Sequence, residues 1–214
     1  MVAVTTATER LPPGRHGLSR DQVASSQRAR MLRAMAEAVS ENGFASTPVA
    51  EVLRRARVSR ETFYENFANR EDCFLAAYEA SVALVMAAIE DAARTAAGGA
   101  ANETLGRVIE RYLATLAQEP AAARTFMVEV YGAGEAALAR RNEVQTRFVD
   151  QVAALLGAET AAQRFACEMV VAAVIGLVTQ WICAGRADEL TDLHQPLMEN
   201  VESMLSLYGL PART

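Results

Sequence analysis

Between Gly43 and Phe74 this 214-residue sequence reads GFASTPVAEVLRRARVSRETFYENFANREDCF, a stretch dense in arginine, hydroxyl and aromatic side chains. Arginine forks match phosphate oxygens and guanine edges, hydroxyls donate to phosphates, and carboxylates accept from cytosine, so these residue types can read a nucleic acid. Residues 20–70 hold nine Arg (20, 28, 30, 33, 54, 55, 57, 60, 70) against six acids, although the whole chain carries a formal charge of −5. A basic end on an acidic body supplies the local charge that phosphate neutralisation requires. The other constellations that could do chemistry are missing. Cys73, Cys167 and Cys183 fit no CxxC pattern, His16 and His194 cannot build a metal site alone, and no nucleophile with a base or working pair of carboxylates stands out, so no metal and no cofactor is expected.

Positioning those residues falls to helices. Hydrophobic residues make up 51% of the chain, aromatics only 6%, and alternating β-branched runs are scarce, which predicts an all-α fold. Residues 1–18, with Pro12, Pro13, Gly14 and Gly17, are expected to form a disordered tail. A first helix begins near Ser19 or Asp21, places Met31, Met35, Ala38 and Val39 on one face, and stops at Asn42–Gly43. Thr47 before Pro48 predicts a cap and first-turn proline opening a short helix to Ala56, and Ser59 caps another carrying Phe63 and Phe67. A longer helix starts near Asn69. After the break at Ala96–Asn102, helices are expected over 103–118, 121–131, 135–156, 160–184 and 190–208, each stopped by Pro or Gly.

Two short helices joined by a three-residue turn are too small to stand alone, so the first helix with Phe63 and Phe67 must complete their core. At about 100° per residue, Phe63 and Phe67 turn inward and leave Arg60, Glu61, Thr62, Tyr64 and Glu65 on the outside. Glu61 and Glu65 point most directly outward, which suits base reading at the centre and phosphate contact at the shoulders. Arg70 opens the next helix, where free N–H groups also favour an anion. Arg57 stands in the turn.

With Tyr64, Phe67, Arg70, Glu71 and Phe74 closing the helix-turn-helix, residues 25–75 resemble the signature of the tetracycline-repressor (TetR/AcrR) family. The resemblance implies that Thr47, Tyr64 and Arg70 contact phosphates and that the face of residues 59–66, with Ser59, Arg60, Glu61 and Thr62, reads an operator; Arg28 is a further phosphate contact. Arg70 replaces the usual Lys and keeps its charge. Arg57 replaces a glycine usual in the turn, where positive φ costs a non-glycine residue about 1 kcal/mol; either the turn is slightly strained, with a phosphate contact to offset the cost, or it takes another geometry.

Small and apolar residues at Phe165, Met169, Ala173 and Gly176, and the stripe Leu197, Val201 and Met204, fit either an intrachain core or a close-packed seam. The family resemblance, with the need for two half-sites about 34 Å apart, selects a homodimeric four-helix bundle. Tyr78, Met86, Tyr112, Phe126, Met127, Tyr131, Phe148 and Trp181 fit an apolar ligand pocket or plain core equally well.

The expected organisation is therefore a tail (1–18), a three-helix DNA-binding domain (19–72) and a helical ligand-binding and dimerisation domain (73–214). The expected function is a cytoplasmic regulator, a repressor binding double-stranded palindromic operator DNA as a homodimer and released by a small, largely apolar effector. A ligand-independent DNA-binding regulator and an all-helical enzyme are the alternatives. No membrane partner is expected, because the longest apolar run, Met169 to Val178, is about half of a membrane span.

Overall fold

The computed structural model describes residues 20–96 and 98–210; the expected tail and His16 lie outside the described residues. Among those described, the chain is all-helical: α1 Arg20–Asn42, α2 Val49–Ala56, α3 Arg60–Asn66, α4 Arg70–Thr95, α5 Ala101–Gln118, α6 Pro120–Met127, α7 Glu135–Leu156, α8 Ala161–Cys183 and α9 His194–Leu207. The segments expected at 121–131 and 190–208 each divide. Glu129–Gly132 and Ala187–Leu193 are 3-10 turns, tighter than the α-helices they adjoin.

A head of α1–α3 forms because α1 lends its buried face, Met31, Met35, Ala38 and Val39, to Val52 and Ala56 of α2 and to Phe63 and Phe67 around α3. Helices of eight and seven residues are marginal in water, and packing supplies what propensity cannot. Ser59 caps α3 by accepting from the Thr62 N–H at 3.0 Å. The expected Thr47 cap is absent: Pro48 occupies the cap position of α2, and Thr47 is fully buried with its hydroxyl donating to the carbonyls of Gly43 (2.8 Å) and Ala38 (3.2 Å). Thr47 thus seals the end of α1.

Arg57 closes α2 at φ 54°, ψ 50°, the left-handed conformation of the strained one of the two expected turns, and it is the one non-glycine residue there among those described. The geometry is that of the glycine it replaces. Salt bridges brace the same helix: Glu51 accepts from Arg54 (2.6 Å) and Arg55 (2.7 Å), and Arg55 also pairs with Glu41 of α1. Those arginines hold the Glu51 carboxyl down to about 2.

Helix α4, about 39 Å long at 1.5 Å per residue, serves both halves of the chain. Its first turns bury Cys73 and Phe74 against the head, and its later ones bury Tyr78, Val82, Val85, Met86 and Ile89 in the body. Burial pushes the Cys73 thiol up to about 12. Cys167 is buried too, whereas Cys183 is exposed. In the body α4 packs on α5 and α6, and α8 packs on α6, α7 and α9.

Candidate nucleic-acid interface

Helix α3 has one buried face and one free one. Phe63 is fully buried and Phe67 nearly so, and their rings meet at 5.4 Å. Arg60, Glu61, Tyr64 and Glu65 are exposed on the other side, with Tyr64 at 49%, its ring set edge-on against Phe63 at 5.3 Å. The hydroxyls of Ser59 and Thr62 meet at 2.9 Å beside this face. Arg57 and Arg60 are exposed and pair with no acid among the described residues. This is a free cationic edge around a carboxylate centre.

The remaining arginines of the expected contact set are engaged within the chain. Arg28 lies over the Phe67 ring at 4.4 Å and donates to the Asn66 carbonyl at 3.1 Å, which ties α1 to the end of α3. Arg70 lies over the Phe44 ring at 4.2 Å, faces the carbonyls of Phe44, Ala45 and Thr47 at 3.3–3.5 Å, and pairs with Glu71 at 3.0 Å. It clamps the loop between α1 and α2 onto α4. At the start of α4, Asn69 accepts from the Asp72 N–H and Asp72 from the Ala68 N–H. With Thr47 sealed inside, the outward surface comprises Arg57, Ser59, Arg60, Glu61, Thr62 and Tyr64, with Arg28 exposed beside Phe67 and Arg70 half-buried.

The head meets the body through contacts that spacing could not reveal. Glu129, in the turn after α6, accepts from the Phe44 N–H at 3.1 Å across 85 residues. Its other oxygen lies 3.2 Å from Arg124 Nε, close enough to attract the charge but without hydrogen-bond alignment. Thr125 of α6 reaches the Ala36 carbonyl of α1 at 3.4 Å. These contacts join the body to α1 and to the same loop that Arg70 holds.

Two small adjacent spaces lie in the body, of about 60 and 20 Å³. Of the expected ligand set, Tyr112 and Phe148 line the first, and Tyr78, Phe126, Met127 and again Phe148 the second. Met86 is core. Tyr131 is half-exposed beneath the Arg141 guanidinium, Trp181 packs under Arg186 at 3.7 Å, and neither lines these two spaces. The walls missed by the search for aromatics are aliphatic or polar: Val170, Val174 and Ile175 of α8, and Arg141 and Gln145 of α7.

Helix α8 leaves Phe165 (56% exposed), Ala172, Ala173, Gly176 and Leu177 on its outer face, and a Cβ added at Gly176 would touch nothing. Both α4 and α8 are long and apolar enough to cross a membrane; α4 is half buried over its most apolar stretch and α8 only 39%. Leu197 and Val201, expected at a seam between subunits, are buried inside the chain because α9 turns that stripe onto α5 and α8. Met169 and Met204 are half-buried on the same core. Among the described residues, no group of three or more His, Cys, Asp or Glu could hold a metal.

Residues 31–77 match the family model for bacterial regulatory proteins of the tetR family. No curated protein sequence matches the chain. The fold matches that of the fatty acid degradation regulator FadR from Bacillus halodurans (19% identity, TM-score 0.73, 82% of this chain and 94% of that one). It also matches FadR from Bacillus subtilis, described in complex with stearoyl-CoA (18%, 0.68, 81% and 96%), and a transcriptional regulator from Rhodococcus sp. Rha1 (22%, 0.69, 87% and 99%).

Proposed function

Because the chain belongs to the tetR family of bacterial regulatory proteins, we propose that it is a cytoplasmic, ligand-responsive repressor that binds a palindromic operator as a homodimer. The observation that carries this reading is the outward face of α3, where Arg60, Glu61 and Tyr64 stand exposed on a helix anchored by Phe63. A helix so presented enters a major groove, with Arg57 and Arg60 near phosphates and Glu61 at base edges. Two copies are needed to span half-sites about 34 Å apart, and the apolar face of α8 is the surface for the second copy. A largely apolar effector in the body acts through α6, whose Phe126 and Met127 line the cavity and whose Thr125 reaches α1. The stearoyl-CoA complex of a protein sharing this fold supports an effector of that character.

The test is DNA selection followed by titration at several salt concentrations. Arg60→Ala should weaken binding to every sequence and reduce the salt slope by about 1, whereas Glu61→Ala should change which base is preferred, by about 1–3 kcal/mol. If neither variant changes affinity, salt slope or preference, α3 is not the reading element.

A further inference from the structure

Arg140 and Arg141 are neighbours on α7 with opposite circumstances. Arg140 pairs with Glu79 of α4 and with Glu143, so its charge is answered. Arg141 lies over the Tyr131 ring at 4.6 Å and donates to the Asn142 side-chain carbonyl at 3.3 Å, with no carboxylate partner among the described residues. It borders the smaller cavity beside Gln145 and Tyr78. Tyr78 is fully buried, and its hydroxyl has no hydrogen-bond partner. A buried donor left without an acceptor is uncommon, and here it belongs to a residue that lines the smaller space. Burial pushes the Tyr78 phenol up while Arg141 opposes that shift, so the hydroxyl keeps its proton and remains a donor.

The larger cavity adjoins the smaller one, with Phe148 and Ile175 shared between their walls. Beyond them its wall is hydrocarbon, from Ile89 of α4 and Leu105 of α5 to Val170 and Val174 of α8, with Tyr112 as the one residue carrying a polar group. No acid lines either space. We propose that the body binds an amphipathic carboxylate, its hydrocarbon chain between α5, α7 and α8 and its anionic end held by Arg141, the Tyr78 hydroxyl and the Gln145 amide. This rests on the reading of the body as an effector domain and adds the chemical class of the effector. A cation would meet the unanswered charge of Arg141, and a neutral alcohol would leave it unpaired. The space holds about four water-sized bodies as it stands, so the chain enters by parting the half-buried side chains of Val108, Val152 and Ile175.

The experiment uses the full-length protein and three eight-carbon probes, octanoate, octan-1-ol and octyltrimethylammonium. Calorimetry measures their binding, and a labelled DNA fragment selected by the protein reports release in parallel titrations. Octanoate should bind about tenfold more tightly than octan-1-ol, because a charge-assisted hydrogen bond is about twice as strong as a neutral one, and the ammonium should bind worst. Arg141→Met should abolish the preference while leaving octan-1-ol within about twofold, and Arg141→Lys should restore part of it. Tyr78→Phe, which keeps the ring in the core, should weaken octanoate alone. The proposal is overturned if octan-1-ol binds as tightly as octanoate, if the preference survives Arg141→Met, or if no probe binds. Should octan-1-ol bind equally and release DNA, the sensor reading stands without its anionic site. Should octanoate bind through Arg141 and leave DNA bound, the site stands and the sensor reading fails.

Discussion

Helices α3 and α8 both turn a face to the outside, but one exposes charge and the other hydrocarbon. On α3 the outward residues are Arg60, Glu61, Tyr64 and Glu65, and the aromatic pair Phe63 and Phe67 is spent on the core. On α8 the core side is satisfied by Val170, Val174 and Val178, yet Phe165, Ala173, Gly176 and Leu177 remain outside. A charged face is stable in water alone, whereas a contiguous apolar face of this kind marks a surface that another molecule covers. On the proposed function the two helices meet different partners, a polyanion at the head and an apolar surface at the body.

The largest expected effect breaks the apolar side of this comparison. Replacing Ala173 and Gly176 together by Asp would set unpaired charges in a two-fold interface, each present twice by symmetry, at a cost of several kcal/mol. Sedimentation should then show monomers that keep their helical content. A pair of changes on an ordinary surface would stay within about 0.5 kcal/mol each, and an unaltered sedimentation profile would remove α8 from the interface.

An intermediate effect separates arginines that hold the head together from those free to meet DNA. Arg70→Ala loses the stack on Phe44 and the carbonyl contacts of the α1–α2 loop, so thermal unfolding should report a loss of about 1–2 kcal/mol. If stability is unchanged and the salt slope of DNA binding falls by about 1 instead, Arg70 is a phosphate contact and its internal bonds are incidental.

The smallest effect concerns Arg57. Its φ of 54° costs a side chain what it does not cost glycine, so Arg57→Gly should raise stability in urea by about 0.5–1 kcal/mol while weakening DNA binding. A variant that is less stable than the parent would show that the turn has relaxed around arginine.

Local patterns carried much of this molecule. The inner and outer sides of α3 follow from the four-residue spacing of Phe63 and Phe67, and the stops at Gly157 and Gly185 from their residue type, because each depends only on neighbours within one or two helical turns. Tertiary structure decided which of several chemically equivalent side chains stay available. Arg28 and Arg60 are indistinguishable by type and both exposed, yet Arg28 lies on Phe67 and donates to the Asn66 carbonyl whereas Arg60 pairs with no acid among the described residues. Leu197 and Phe165 both fit a seam, yet α9 buries the first and α8 exposes the second. Glu129 reached Phe44, and Arg141 was left beside Tyr78, through contacts between residues tens of positions apart in the chain. Charge and hydrophobicity belong to the residue and are legible in the sequence, but whether a group is already partnered is a property of distances, which only the packing of helices remote in sequence determines.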